Sequence, residues 1–198
     1  MKNTLHQAVD NNDTKAFTEA LILYPNETNS THNSVSLLHR VCFWGNKKML
    51  QQLLNGKDIN IYVVNNELRN VLHFIVEAVE IKSLESKERD YIGCFKLLLE
   101  YEKKLPARER KDLLSMEDCN GLTVQELIKK REKLHGTNSN FRKMLELIKD
   151  NKSINLLENQ KSAIYSFSFL IKTMSSLFSS SEEEEQFLLS NTTKYKKE

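Results

Sequence analysis

A pattern that repeats along the chain constrains this 198-residue protein more than any other feature. A Leu-His pair opens an apolar run at Leu5-His6, Leu38-His39 and Leu72-His73, which gives a period of roughly 33 residues. In the first two copies a second apolar run follows a polar break, at Ala20-Leu21 and Leu53-Leu54. Self-similarity at this period is typical of stacked repeats, in which neighbouring units bury each other's apolar faces. Each unit is therefore predicted to be a helix, a turn and a second helix.

The composition favours helices over a many-stranded sheet. The whole chain contains only 5 Gly and 2 Pro, so the turn-forming residues that a sandwich or barrel needs are scarce. Leu, Lys and Glu, which are good helix formers, are abundant. With 39% hydrophobic residues the chain has enough apolar side chains for a core. We expect an all-α protein.

The second copy carries the clearest resemblance to a known family. It runs Ser-Leu-Leu-His-Arg-Val-Cys-Phe-Trp-Gly-Asn over residues 36–46 and closes with Gly-Lys-Asp-Ile-Asn over residues 56–60. These segments resemble the T-P-L-H-x-A opening and the G-A-D-V-N ending of the ankyrin repeat. The resemblance implies an ankyrin-type α-solenoid, in which antiparallel helix pairs stack and present a concave protein-binding face.

The third and fourth copies depart from the family pattern. Leu97-Leu98-Leu99 follows His73 at a distance that implies roughly 10 extra residues around 80–90 and lengthened helices. The fourth copy opens with Asp-Cys-Asn-Gly-Leu-Thr at 118–123, which resembles the D-x-x-G-x-T turn of the family, but Glu126 replaces the histidine. Its second helix is predicted at 141–149. We expect about four repeats over residues 3–150.

The composition changes after residue 150. A stripe at helical spacing predicts an amphipathic capping helix within residues 151–179 that docks on the fourth repeat, formed by Phe167, Leu170, Ile171, Met174, Leu177 and Phe178. Residues 180–198 are predicted to be a mobile acidic and polar tail.

The resemblance also predicts which side chains meet a partner. Phe43 and Trp44, the only Trp of the chain, precede Gly45 and correspond to groove-facing positions of the family. Trp and Arg dominate binding hot spots, so these residues and Arg40 are the predicted anchors. The alternative is that the two aromatic residues pack on the lengthened third repeat. By the same alignment the surface extends over Gln7, Asn11, Asn12, Phe74, Glu77 and Ala78, with Tyr62, Val63 and Asn65 on the neighbouring finger.

Catalytic and metal-binding functions receive little support from the sequence. The three repeated histidines are expected to bond turn backbones rather than a metal, because a translation by one whole repeat keeps them apart. We predict no metal and no cofactor. A thiol-dependent hydrolase or transferase is the sharpest enzymatic alternative, with Cys42, Cys94 or Cys119 as nucleophile and His32 or His135 as base. Cys42 and Cys94 lie in apolar runs and are more consistent with packing.

Charge, cysteine usage and hydropathy narrow the partner classes. Lys and Arg total 29 against 27 Asp and Glu, and the basic residues at 103–111 and 129–133 are interrupted by acidic ones, so no nucleic-acid partner is predicted. Three cysteines without a CxxC pair fit a reducing compartment. The most apolar segment, residues 164–178, is too short for a membrane span, and an interfacial membrane helix there is the alternative. We expect a monomer whose partner is a protein.

The C-terminal segment suggests a route to that partner. Glu182, Glu183, Glu184 and Glu185 stand shortly before the last residue, Glu198, and are followed by Phe187-Leu188-Leu189. This arrangement resembles the export signal of Dot/Icm type IV secretion effectors, a group that includes ankyrin-repeat proteins. The resemblance implies a bacterial effector that enters the host cytoplasm by a non-Sec route and binds a host protein there. A cytoplasmic adaptor of the eukaryotic type is the alternative.

Overall fold

The structure is a computed structural model that describes residues 4–56, 59–80, 89–136 and 138–153, together with ten residues between 157 and 173. Its helices are α1 (Thr4–Asp10), α2 (Thr14–Leu23), α3 (Leu37–Trp44), α4 (Lys47–Leu54), α5 (Val71–Glu80), α6 (Tyr91–Lys104), α7 (Val124–His135) and α8 (139–153). Two short strands, β1 (Thr31–His32) and β2 (Val35–Ser36), form an antiparallel hairpin. The chain divides into a first unit, residues 1–150, and a second unit, residues 151–198.

Helices of the first unit stack in two layers. An inner layer runs α1, α3, α5, α7, each helix packing on the next, and an outer layer runs α2, α4, α6 in the same way. Within a repeat the inner helix also packs on its outer partner, as α1 does on α2 and α3 on α4. One continuous hydrophobic core extends from Leu5 to Ile148 and includes the fully buried rings of Phe17, Phe95 and Phe141. The predicted all-α solenoid is confirmed.

Polar side chains fix where the helices begin. Ser36 caps α3 by accepting a hydrogen bond from the His39 N–H, and Thr123 caps α7 by accepting one from the Glu126 N–H. Asp13, Asn46 and Asp90 cap the outer helices α2, α4 and α6 in the same manner. Each cap satisfies an N–H group that the first helical turn leaves without a partner.

The length of an inner helix depends on the residue six positions after the repeated histidine, or after Glu126 in the fourth repeat. Asn12 and Gly45 hold this place in the first two repeats with left-handed backbones (φ 51° and 63°), and α1 and α3 end after 7 and 8 residues. Asn and Gly are the residues that adopt this conformation most readily. Val79 and Glu132 hold the place in the last two repeats, and there α5 and α7 continue to 10 and 12 residues. The predicted lengthening of the third repeat is confirmed in α6, which has 14 residues.

Three fingers protrude between successive repeats. The first is the β1–β2 hairpin, whose turn residues Asn33 and Ser34 have positive φ values. The second, residues 61–69, is closed by Asn65, whose side-chain oxygen accepts from the Glu67 and Arg69 N–H groups. In the third finger the Asp118 carboxylate accepts from the Asn120 and Leu122 N–H groups. The turn predicted at 118–123 is therefore present.

The second unit is described in part. Its residues 168–173 are helical, and the side chains of Leu170 and Ile171 are 56% and 53% exposed. The docking of this segment on the fourth repeat stays a prediction. The other four residues of the predicted stripe, and the whole of 180–198, lie outside the described residues.

Candidate protein-binding surface

The inner helices share a surface, here called the inner face. It is formed by the side chains one, four and five positions after the repeated histidine, whose place Glu126 takes in the fourth repeat. It comprises Gln7, Asp10, Asn11, Arg40, Phe43, Trp44, Phe74, Glu77, Ala78, Leu127, Lys130 and Arg131. Because α1, α3, α5 and α7 pack side by side, these equivalent positions line up across the four repeats. Only Ala78 and Leu127 are buried. The predicted anchors Arg40, Phe43 and Trp44 are thus brought together on one surface.

Aromatic rings occupy the middle of the inner face. Phe43 and Trp44 are half-buried and meet edge to face, with ring centroids 6.1 Å apart. Phe74 is also half-buried, and its ring lies 4.5 Å from that of His39. The rings of Phe43 and Trp44 pack on the core while part of each remains accessible, and their contact with a partner stays a prediction. Half-buried aromatic side chains held in one conformation are suited to binding a partner at low entropic cost.

Ion pairs border the aromatic residues on both sides. Toward the first repeat, Arg40 Nη1 lies 2.7 Å from Asp10 Oδ1. Toward the fourth, Arg69 Nη1 lies 2.7 Å from Glu77 Oε1, and Arg131 pairs with Glu80 at 2.8 Å. Burial raises the pKa of Glu77, although the nearby arginines oppose the shift. The predicted contact residues Arg40 and Glu77 are therefore already paired within the chain.

Two predicted contact residues lie elsewhere. Tyr62 faces the C-terminal end of α6 in the outer layer, where Lys111 stands 5.7 Å from the Tyr62 ring centroid. Burial raises the pKa of the Tyr62 hydroxyl to about 12, and Glu102 contributes to this shift. Tyr62 does not join the inner face. Asn12 is the left-handed residue that ends α1, and its side-chain oxygen accepts from Asn46 Nδ2 at 2.8 Å. The alignment missed this because Asn12 is equivalent to Gly45 and not to Trp44.

Cross-repeat hydrogen bonds hold the inner face rigid. His39 Nε2 donates to the Arg69 carbonyl oxygen at 3.0 Å, and His73 Nε2 bonds the Leu122 carbonyl oxygen at the same distance. The prediction that the histidines bond turn backbones is confirmed for these two. His6 instead bonds the Ser30 hydroxyl at 3.1 Å. Burial lowers the pKa of all three imidazoles, that of His39 to about 4.

The fourth repeat shows why its histidine can be replaced. Glu126 Oε2 accepts from the Thr123 N–H at 2.8 Å, which is the backbone group that His39 Nδ1 faces in the second repeat. Glutamate at this position of a capping box is a favoured choice. In the second and third repeats the histidine also bonds the next finger, whereas within the described residues α7 leads to α8 and not to a further finger.

Two of the three candidate nucleophiles are poorly placed for catalysis. Cys42 and Cys94 are fully buried, and burial raises the pKa of both thiols, that of Cys94 to about 12. Protonated thiols are weak nucleophiles. Cys119 is exposed, whereas His32 lies on β1 near His6, at a centroid distance of 6.0 Å. The side chain of His135 lies outside the described residues.

Metal-ligand clusters and membrane spans are both absent from the part of the chain that the structure describes. No three or more of its His, Cys, Asp or Glu side chains converge as metal ligands would. None of its helices combines the length and the apolar character that crossing a bilayer requires.

Comparison with solved structures identifies the fold as that of ankyrin repeat domains. An ankyrin repeat domain from Acinetobacter baumannii AYE aligns with a TM-score of 0.55 and 16% sequence identity, over 75% of this chain and 63% of that one. The ankyrin repeat domain of Bcl-3, a member of the IkappaB protein family, aligns with a TM-score of 0.48 and 16% identity, over 73% of this chain and 50% of that one. The chain thus spans less than two thirds of either structure. No protein-family model and no curated protein matches the sequence.

Proposed function

We propose that the chain is a protein-binding module whose working surface is the inner face. The observation that carries this proposal is the half-buried aromatic centre of Phe43, Trp44 and Phe74, which lies on two neighbouring inner helices and is bordered by ion pairs. Large aromatic side chains surrounded by paired polar groups are typical of binding hot spots. No reaction is required, because the module acts by occupying or recruiting its partner.

Rigidity of the surface is the physical basis of binding. His39 and His73 tie each inner helix to the next finger, and Asn46 and Gln52 bond Thr14 and Thr18 of the neighbouring outer helix. A surface held in this way loses little conformational freedom when a partner binds. Less of the free energy gained from aromatic contacts is then offset by lost conformational entropy, so the affinity is higher.

A comparison of captured proteins tests the proposal. The full chain and its Trp44→Ala variant would be used to capture proteins from host-cell lysate, with quantification by mass spectrometry. Truncation of a hot-spot aromatic side chain is expected to weaken the binding of a specific partner at least about thirtyfold. Gln7→Arg is a second variant of the same face, chosen because Gln7 is exposed and its replacement does not disturb the core.

The matched control is Lys96→Glu, which alters the outer helix α6 at a side chain that is 61% exposed. Partners retained by this control and lost from both inner-face variants support the proposal. Retention by all three variants would place binding elsewhere, provided that circular dichroism and thermal unfolding show each variant to be folded.

We further propose that the partner is a host protein and that the chain reaches the host cytoplasm as a secreted bacterial effector. This rests on the sequence resemblance of Glu182–Glu185, with Phe187 after them, to Dot/Icm export signals. The segment lies outside the described residues. Replacing the four glutamates with alanine is expected to reduce translocation of a reporter fusion from a bacterium with this secretion system. The matched control replaces Ser179–Ser181 with alanine, and equal delivery by both variants would remove the export proposal while leaving the binding module intact.

A further inference from the structure

One arginine beside the inner face differs from the others. Arg40, Arg69 and Arg131 each pair with a carboxylate. Arg89 instead lies over Trp44, with its guanidinium carbon 4.7 Å from the ring centroid, and no carboxylate of the described residues lies within 4.0 Å of it. Among the residues that the structure describes, its buried Nε atom has no hydrogen-bond acceptor, and its Nη1 atom has the Tyr91 hydroxyl at 3.4 Å. Arg89 is thus a positioned cation whose donors are largely unused.

The turn of the second repeat holds this guanidinium in place. Gly45 permits the approach, because a Cβ atom added there would stand 2.8 Å from the Tyr91 ring and 3.3 Å from Arg89 Cβ. The Asp90 N–H donates to the Gly45 carbonyl oxygen at 2.9 Å, which anchors the segment that carries Arg89. Stacking on Trp44 then orients the planar guanidinium.

The surroundings are basic. Lys47 and Lys48 begin α4 immediately after the Gly45 turn and line an open cleft of about 580 Å³ together with Asp90. Asp90 neutralises one of these charges, since its Oδ2 atom lies 3.3 Å from Lys47 Nζ. Two positive charges, those of Arg89 and Lys48, remain without a carboxylate among the described residues.

From this arrangement we propose that the Trp44–Arg89 pair binds a carboxylate side chain of the partner, so that the module recognises an acidic segment. The proposal rests on the proposed function and specifies its partner class. An aspartate or glutamate of the segment would accept hydrogen bonds from the terminal Nη N–H groups of Arg89. An adjacent apolar side chain would contact Phe43, which meets Trp44 edge to face.

Peptide selection tests the partner class even while the partner itself is unidentified. A display library of random peptides would be selected against the full chain. We expect the selected pool to be enriched in Asp and Glu next to apolar residues. One selected peptide and its Glu→Gln analogue would then be titrated into the protein while the fluorescence of Trp44, the only Trp of the chain, is recorded. A charge-assisted hydrogen bond predicts that the analogue binds about ten- to hundredfold more weakly.

Substitution of the arginine completes the cycle. Arg89→Gln is expected to bind the acidic peptide more weakly than the wild type by the same ten- to hundredfold, and to bind the Gln analogue as the wild type does. Arg89→Lys keeps the charge but loses the planar guanidinium, so it should bind the acidic peptide with intermediate affinity. The matched control is Arg108→Gln, which removes the same charge from a side chain that is 85% exposed in the turn Ala107–Glu109. Thermal unfolding of each variant verifies that it is folded.

The outcomes separate the two proposals. A pool without acidic enrichment, or equal binding of the acidic peptide by Arg89→Gln and the wild type, overturns the carboxylate site. If those peptides still lose binding on Trp44→Ala, the protein-binding function stands. Tighter binding of a phosphoserine analogue than of the glutamate peptide would also overturn the inference, by assigning the site to phosphate. Selection of no peptide that depends on the inner face would refute the proposed function and the inference with it.

Discussion

Protonation of His39 should destabilise the fold, and the size of the effect follows from its burial. The side chain is fully buried, and burial lowers its pKa from about 6.5 to about 4, with a smaller contribution from His73. The unfolded chain therefore binds a proton in a pH range where the folded chain does not, so stability falls as pH decreases from about 6.5 to about 4. The difference between the two pKa values corresponds to about 3 kcal/mol in the free energy of unfolding. About 2 kcal/mol of this is lost between about pH 7.5 and about pH 5.

Urea denaturation of the wild type and His39→Gln at these two pH values measures the contribution. Glutamine keeps an N–H donor that can reach the Arg69 carbonyl oxygen, but it does not titrate. The variant is expected to be less stable at neutral pH, and its free energy of unfolding should change with pH by about 2 kcal/mol less than that of the wild type. Burial raises the pKa values of Glu77 and Glu102, so these carboxyls make the folded chain more stable, not less, as the pH falls. Their contribution is the same in the wild type and the variant and cancels in the comparison.

His32→Gln is the matched control, since His32 is exposed on the first finger. It should leave the stability at neutral pH close to that of the wild type. If His39→Gln retains the pH dependence of the wild type, His39 is not the buried neutral imidazole whose Nδ1 accepts from the Ser36 N–H. Direct NMR titration would then show a pKa near the ordinary value for histidine instead of about 4.

Two further predictions concern packing. Gly45→Ala should destabilise the fold by about 2–4 kcal/mol, because the new Cβ adds a left-handed backbone cost to an overlap at 2.8 Å with the tyrosine ring that opens α6. Gly121→Ala, where the nearest atom is 4.0 Å away, should cost only about 1–2 kcal/mol in urea denaturation, and equal losses would contradict the close approach. A thiol reagent at mildly alkaline pH should label Cys119 in the folded chain and Cys42 and Cys94 only after unfolding. Labelling of all three at one rate would show that the two buried thiols are accessible.

The sequence predicts those features that repeat and misses those that occur once. The repeat period locates the helix pairs, because every unit must bury its apolar face in the same way. It also predicts that His39 and His73 bond backbone. It does not predict that Asn12 serves as the left-handed end of α1, since asparagine there replaces the glycine that marks the turn in the second repeat. For Leu170 and Ile171, helical spacing predicts an amphipathic helix but does not determine what covers its apolar side.

The third repeat, which departs from the family pattern, supplies the arginine of the Trp44–Arg89 pair. Arg89 lies within, and Tyr91 directly after, the stretch around 80–90 where the sequence predicts extra residues, and both approach the Gly45 turn of the preceding repeat. Stacking fixes the positions that every unit shares, whereas an insertion at a turn can change without disturbing the layers. Recognition specific to this protein is therefore expected where the third repeat meets Trp44, while the repeated positions supply the rigid surface around it.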